Sequence, residues 1–243
     1  MNERDLPLGI HHVTAMTSDV VKNYDFFTEV LGMRLVKKTV NQDDIHTYHT
    51  YYGDDTGSPG TAMTFFDFPN NPKGIKGTNA ITRTSFRVPN DASLEYYQER
   101  FAKFDVKHEA ITTEFGKKVL RFWDFDEQAY QLISDENNVG MKPGTPWKKG
   151  PVPEKFAIYG LGPVEITVSY FNDFKEIFEE LLSFEEIAQE GNRYLLEVGE
   201  KGNGAQVVLI EDATQNIAQQ GYGEVHHFAL RLKDAASIKL WIT

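Results

Sequence analysis

The sequence predicts an α+β chain assembled from tandem βαβββ modules, and three observations carry that expectation. Two segments near the ends repeat one another: residues 9–19 read GIHHVTAMTSD and residues 224–234 read EVHHFALRLKD. Between them, one order of strand-like and helix-like stretches recurs, and a repeat of this kind governs the reading of the whole fold. Each opening strand also runs into a Ser, Asp or Asn suited to cap a helix N-terminus.

The first module spans about residues 9–68. Its opening strand covers about 9–17, and its helix starts from Ser18 or Asp19. Val20, Tyr24, Phe27, Val30 and Leu31 fall near helical spacing and form the expected apolar face. Gly32 terminates the helix. Arg34–Val40, His46–Tyr52 and Thr61–Phe68 then read as strands, with the turn cluster GDDTGSPG before the last. The second module, about 80–136, repeats this: a strand over Ala80–Val88, a helix over about 91–104, and strands near 107–113, 117–124 and 129–134. Residues 137–160, rich in Pro, Gly and Lys, read as a linker between a region 1–136 holding the first two modules and a region 161–243. The third module opens with PVEITVSY, continues with a helix over Asn172–Leu182, and closes with strands near 184–189, 192–198 and 205–211. In KEIFEELLSFEEIAQE the acidic residues form a solvated face, with Phe178, Leu181 and Leu182 packing inward. A fourth module opens at Val225 and shows one strand and the start of a helix by Thr243. The expectation is a truncated fourth module that leaves an unpaired sheet edge.

Bulk properties narrow the function. A chain of 243 residues buries a substantial core as one large domain or two small ones. A formal net charge of −11 opposes nucleic acid and anionic membrane partners. The absence of cysteine removes disulfides, thiolate nucleophiles and cysteine-bound metal centres. The charged start MNERDLPLG does not read as a secretory signal. No apolar run approaches the roughly 20 residues that span a bilayer. A soluble cytoplasmic protein is expected.

Chemistry concentrates in the two repeated ends, which hold His11, His12, His226 and His227. Histidine is the commonest metal ligand among side chains. Alternation places His12, Thr14 and Met16 on one strand face and His11, Val13 and Ala15 on the other. It likewise separates His227, Ala229 and Arg231 from His226, Phe228 and Leu230. One histidine of each pair can therefore be a ligand, and alternation alone does not say which. His46 and His49 read as surface or core histidines among tyrosines, and His108 as a solvated strand residue. The two aspartates of GDDTGSPG lack calcium-loop spacing and read as an ordinary turn.

The order βαβββ with histidine on selected opening strands resembles the vicinal oxygen chelate superfamily. This superfamily includes glyoxalase I, fosfomycin-resistance and bleomycin-binding proteins, and extradiol dioxygenases. The stretches GIHHVTAMTSDVVKNYDFFTEVLGMRLVKKTVNQDD, HTYHTYYGDDTGSPGTAMTFFDFP, TRTSFRVP and VHHFALRLKD look most like its hydroquinone-type ring-cleaving members. The resemblance implies curved, barrel-like mixed sheets and a metal between the first and fourth modules. It assigns His12 and His227 as ligands, with a glutamate expected beyond Thr243 as the third. Thr64 and Gln131 fall at the corresponding position of the first two modules and are poor substitutes for an anionic ligand, so one metal site is expected. By the same analogy His226 approaches the substrate and Thr14 borders the pocket. Two histidines and a carboxylate suit Fe(II) that binds an organic substrate and O₂ together, with Mn(II) or another divalent metal as the alternative. The implied reaction is extradiol-type opening of a hydroquinone or catechol ring with both oxygen atoms incorporated. A glyoxalase-like isomerase or thiol transferase, and a metal-free resistance-type binding protein, are the competing readings. The chain lacking the third ligand is expected to bind iron weakly and to be poorly active. Partners are a small aromatic molecule and O₂; oligomeric state is left open, a homo-oligomer included.

Overall fold

The computed structural model describes residues 6–40 and 45–242. The first module comprises β1 (Gly9–Met16), α1 (Val20–Asp25, continued by a π turn over Phe26–Val30), β2 (Arg34–Val40), β3 (Tyr48–Gly53) and β4 (Ala62–Asp67). The second comprises β5 (Ala80–Val88), α2 (Asp91–Lys103), β6 (Thr112–Glu114), β7 (Lys117–Trp123) and β8 (Ala129–Ser134). The third comprises β9 (Gly160–Val168), α3 (Phe171–Glu176, continued by a π turn over Ile177–Leu181), β10 (Glu185–Glu190), β11 (Arg193–Glu197) and β12 (Gln206–Glu211). Then come β13 (Val225–Arg231) and α4 (Ala235–Ile242). The α+β class and the repeated order match the sequence reading.

The strands form two curved mixed sheets, each a half-barrel. One runs β13-β1-β4-β3-β2, the other β10-β11-β12-β9-β5-β8-β7-β6. Within a module the first strand pairs in parallel with the last, as in β1 with β4, β5 with β8 and β9 with β12. Between modules the opening strands pair antiparallel, β1 with β13 and β5 with β9. The sheets thus join the first module to the fourth and the second to the third, whereas the sequential grouping 1–136 and 161–243 follows chain order alone. β13 lies at the edge of its sheet.

The core packs between sheets and helices. Phe27 stacks on Tyr52 at 4.8 Å and lies 4.9 Å from Phe65, ring centre to ring centre. Phe101 and Phe122 meet at 4.6 Å beneath α2. Val13, Ala15 and Ile10 on β1 are fully buried. These rings and aliphatic side chains belong to the buried apolar core, and burial of such surface is the main favourable contribution to folding.

Two helix faces differ from the spacing expectation. Asp19 caps α1 by accepting from the Val21 and Lys22 amides at 2.9 and 3.1 Å. The π turn after α1, closed by the Leu31 amide on the Phe26 carbonyl at 3.0 Å, adds a residue to the turn and rotates the end of the helix. Phe26 and Phe27 therefore face the core, Asn23 is buried and Tyr24 is exposed. The same device ends the third module's helix, where Phe178 is buried but Leu181 is exposed. Gly32, at φ +72°, takes the left-handed conformation past the helix end, with no room for a Cβ against Val152.

Residues 137–159 contain no helix or strand, and β9 takes up the last residue of the expected linker, yet the segment is anchored. Met141, Val152, Ala157 and Ile158 are buried. Arg87, itself 1% exposed, donates to the Met141 carbonyl at 2.9 Å and pairs with Asp135 at 2.6 Å. Among the described residues, no helix is long and apolar enough to cross a membrane.

Candidate metal centre

The antiparallel pairing of β1 with β13 brings the two HH segments side by side. His12 Nε2 and His227 Nε2 lie 3.3 Å apart, with the rings edge to face at 5.4 Å between centres. An ion about 2.1 Å from each nitrogen would see them at roughly 100°, between octahedral and tetrahedral angles. The two donors thus fit a common metal. Burial pushes the His12 imidazolium down to about 4, with repulsion from His11, His227 and His49 adding to it. Burial and then repulsion from His226 lower His227 as well. Both rings are therefore neutral at pH 7 and keep a nitrogen lone pair for a cation.

The neighbouring polar groups form a connected chain. Thr14 Oγ1 lies 3.1 Å from His227 Nε2 and 2.8 Å from Thr64 Oγ1. Thr64 Oγ1 lies 3.0 Å from His49 Nε2, and His49 Nδ1 lies 2.9 Å from the Tyr51 hydroxyl. Thr14 and Thr64 are fully buried and pair directly across β1 and β4. Burial, then the Lys37 ammonium and His227, hold His49 down at about 4. Lys37 Nζ sits 5.0 Å over the Tyr51 ring. His49 thus belongs to this cluster, contrary to the reading of it as an unconnected surface or core histidine. The signal was present in YHTYYG: alternation puts His49 and Tyr51 on one face, and the hairpin register sets Tyr51 opposite Thr64.

His11 also departs from strict alternation. A register shift between Ile10 and His12 places a bulge at His11. His11 Nδ1 consequently lies 2.9 Å from His12 Nδ1, and both rings line one cleft of about 290 Å³ with Lys37, Tyr51, Pro59 and Ala62. The cleft wall over 56–59 belongs to the Gly-rich turn, held by the buried Asp54. Its carboxylate accepts from the Thr56, Ser58 and Thr145 amides at 3.1, 2.8 and 2.9 Å, so it is an internal turn bracket. His226 is exposed at the cluster's edge, its Nδ1 2.8 Å from His227 Nδ1 and its ring 5.8 Å from Phe66. His46 lies in the turn before β3, and His108 pairs outside the site with the Val106 carbonyl at 2.8 Å. Among the described residues, no set of three His, Asp or Glu side chains is placed to hold a metal. His12 and His227 bring two imidazole nitrogens to one point.

Known proteins share this arrangement of chain. The profile of the Glyoxalase/Bleomycin resistance protein/Dioxygenase superfamily matches residues 9–132. A Bacillus subtilis protein named as a ring-cleaving dioxygenase, MhqA, is 41% identical over 238 residues, covering 96% of this chain and 75% of its own. The chlorohydroquinone/hydroquinone 1,2-dioxygenase of Sphingobium indicum is 28% identical over 231 residues, covering 93% of this chain and 71% of its own. A Bacillus subtilis crystal structure described as a dioxygenase superposes with a TM-score of 0.88 at 30% identity, over 98% of this chain and 74% of that one. Glyoxalase I from Zea mays shares the fold, with a TM-score of 0.66 at 15% identity over 96% of this chain and 79% of its own. With the module order, the paired opening strands and these matches together, the chain belongs to the glyoxalase/bleomycin resistance/dioxygenase superfamily.

Proposed function

We propose that this protein is a non-haem, Fe(II)-dependent dioxygenase that opens hydroquinone- or catechol-type rings. The carrying observation is the convergence of the His12 and His227 Nε2 atoms, 3.3 Å apart. The relatives named as ring-cleaving dioxygenases, one of them a hydroquinone dioxygenase, favour this over isomerase chemistry. A divalent metal bound there supplies coordination of substrate and O₂ together and the electron transfer that joins them. The chain's own residues do the rest. His12 and His227 present neutral donors that would hold the metal, and Thr14 orients the His227 ring through Nε2 in the metal-free site. The cleft beside His12 takes the ring of the substrate. Lys37 there favours the phenolate over the phenol by its charge, which lowers the cost of losing the hydroxyl proton. His226, at the edge and open to solvent, receives that proton and passes it to water.

Among the described residues no carboxylate joins His12 and His227, so these two neutral donors by themselves bind iron weakly in this reading; tight stoichiometric iron on His12 and His227 alone would contradict this. The activity is tested by oxygen uptake with a substituted hydroquinone after anaerobic loading with Fe(II). Uptake matched to substrate, with both oxygen atoms found in a ring-opened product, supports the proposal. Isomerisation of a hemithioacetal without uptake would sink it.

A further inference from the structure

The second half-barrel repeats the geometry of the first with different chemistry. Ser85 and Gln131 pair across β5 and β8 in the register that joins Thr14 and Thr64 across β1 and β4. Arg83 precedes its helix cap Asn90 by the interval that separates His12 from the cap Asp19. Glu165 is the direct partner of Arg83 on β9. Where the first half-barrel gathers imidazoles, the second therefore gathers an ion-pair cluster. Glu165 pairs with Arg83 at 3.3 Å and Arg193 at 2.5 Å, and Glu114 pairs with Arg193 at 2.7 Å and Arg121 at 2.6 Å. Charges of both signs already neutralise one another there, so a cation finds no free carboxylate.

Next to this cluster the half-barrel forms a partly open pocket of about 280 Å³. Val119, Ile133, Pro163, Leu195 and Val208 give it apolar walls. An apolar cavity of about 150 Å³ is enough to take up benzene, so this one has room for a substituted ring. One polar atom on its lining is unsatisfied. Gln131 is 2% exposed, its Nε2 donates to Ser85 Oγ at 2.9 Å, and its Oε1 has no partner. A buried carbonyl oxygen without a donor is destabilising, and a ligand donor recovers the loss. A hydroxyl suits the position because it satisfies either end of the amide, being donor and acceptor at once. Glu114 at the lining is already paired with Arg121 and Arg193, so the choice between phenol and phenolate falls to Gln131 Oε1, which needs a hydroxyl donor.

We propose that the half-barrel β5–β12 is a second, metal-independent site for a small neutral phenol, with the hydroxyl on Gln131 and the ring between Val119, Ile133, Leu195 and Val208. The site is independent of the dioxygenase reading and needs neither iron nor the HH segments.

The test uses chelator-treated protein titrated with phenol and with toluene, monitored by calorimetry and by amide chemical shifts. Phenol should saturate one site, and toluene, lacking the hydroxyl, should bind at least tenfold more weakly. Gln131→Leu should remove that preference while leaving toluene binding in place. Val208→Phe should weaken both ligands, with thermal unfolding confirming that the variant is folded. The double change His12→Ala, His227→Ala should leave phenol binding unaltered. Binding that disappears in the double histidine variant would place phenol in the first half-barrel and overturn the proposal. So would binding indifferent to Gln131→Leu and Val208→Phe, or no saturable binding at all. Oxygen uptake by the iron-loaded protein reports separately on the first half-barrel, so failure of one reading is distinguishable from failure of the other.

Discussion

At His12 and His227, burial makes the imidazoles poor bases and thereby leaves them available as metal donors. The repeated HH segments made both pairs visible in the sequence, and the family resemblance singled out His12 and His227. His49 was less legible because its connection depends on a cross-strand register, through Thr64, that no local pattern displays. His11 Nδ1 lies 2.9 Å from His12 Nδ1, the ring nitrogen opposite the proposed donor, and partners at that position typically account for about a 10- to 100-fold change in metal affinity. His11→Ala should therefore weaken divalent metal binding by roughly tenfold, while His12→Ala or His227→Ala should weaken it by more than that; metal titration with a competing chelator measures both. Protonation gives a second prediction. An unfolded histidine takes up a proton near 6.5, whereas folded His12 and His49 hold out to about 4. The folded state then binds fewer protons in that window, so these residues lower stability as pH falls through it. Asp124, raised to about 7 by burial and then by Asp126, acts in the opposite sense, gaining stability as pH falls. The comparison that isolates the histidine is wild type against His49→Gln in metal-free form. The urea midpoint of the variant should fall less, or rise more, between pH 7 and pH 5; parallel curves would contradict the assignment.

At the scale of elements, apolar spacing placed the helices and strands close to where they lie, but it misjudged two helix faces. Tyr24 and Leu181 are exposed because the π turns over Phe26–Val30 and Ile177–Leu181 rotate the helix ends. A pattern counted at 3.6 residues per turn carries no sign of an inserted residue. The segment 137–160 was read from composition as a linker, and up to Tyr159 it carries turns and bends without a helix or strand. Its anchoring was hidden because it depends on Arg87 of β5, a residue distant in sequence. Arg87 pairs with Asp135 and donates to the Met141 carbonyl in a nearly solvent-free environment. Removing one partner of such a pair leaves the other buried and uncompensated, at a cost of about 3–5 kcal/mol. Arg87→Met should therefore lower unfolding stability by that amount in denaturant titration, and a loss below about 1 kcal/mol would show that the clamp is dispensable.

At the scale of the whole molecule, the module count and order were legible, while the pairing of modules came from the sheets. Local sequence shows four opening strands, but nothing local states that β1 pairs with β13 and β5 with β9. That pairing sets the chemistry: one half-barrel gathers histidines, and the other gathers Arg83, Glu165 and a cavity with a free amide oxygen. In the function proposed above, His12 and His227 together hold one divalent metal across β1 and β13. Titrating Zn(II) into protein labelled with ¹⁵N at histidine, and monitoring the imidazole nitrogens, tests this. Zn(II) is redox-inert and reports weak binding as well as tight. The Nε2 resonances of His12 and His227 should shift together and saturate at one equivalent, with His46 and His108 unmoved. Independent titration of the two, or a shift confined to one of them, would contradict it.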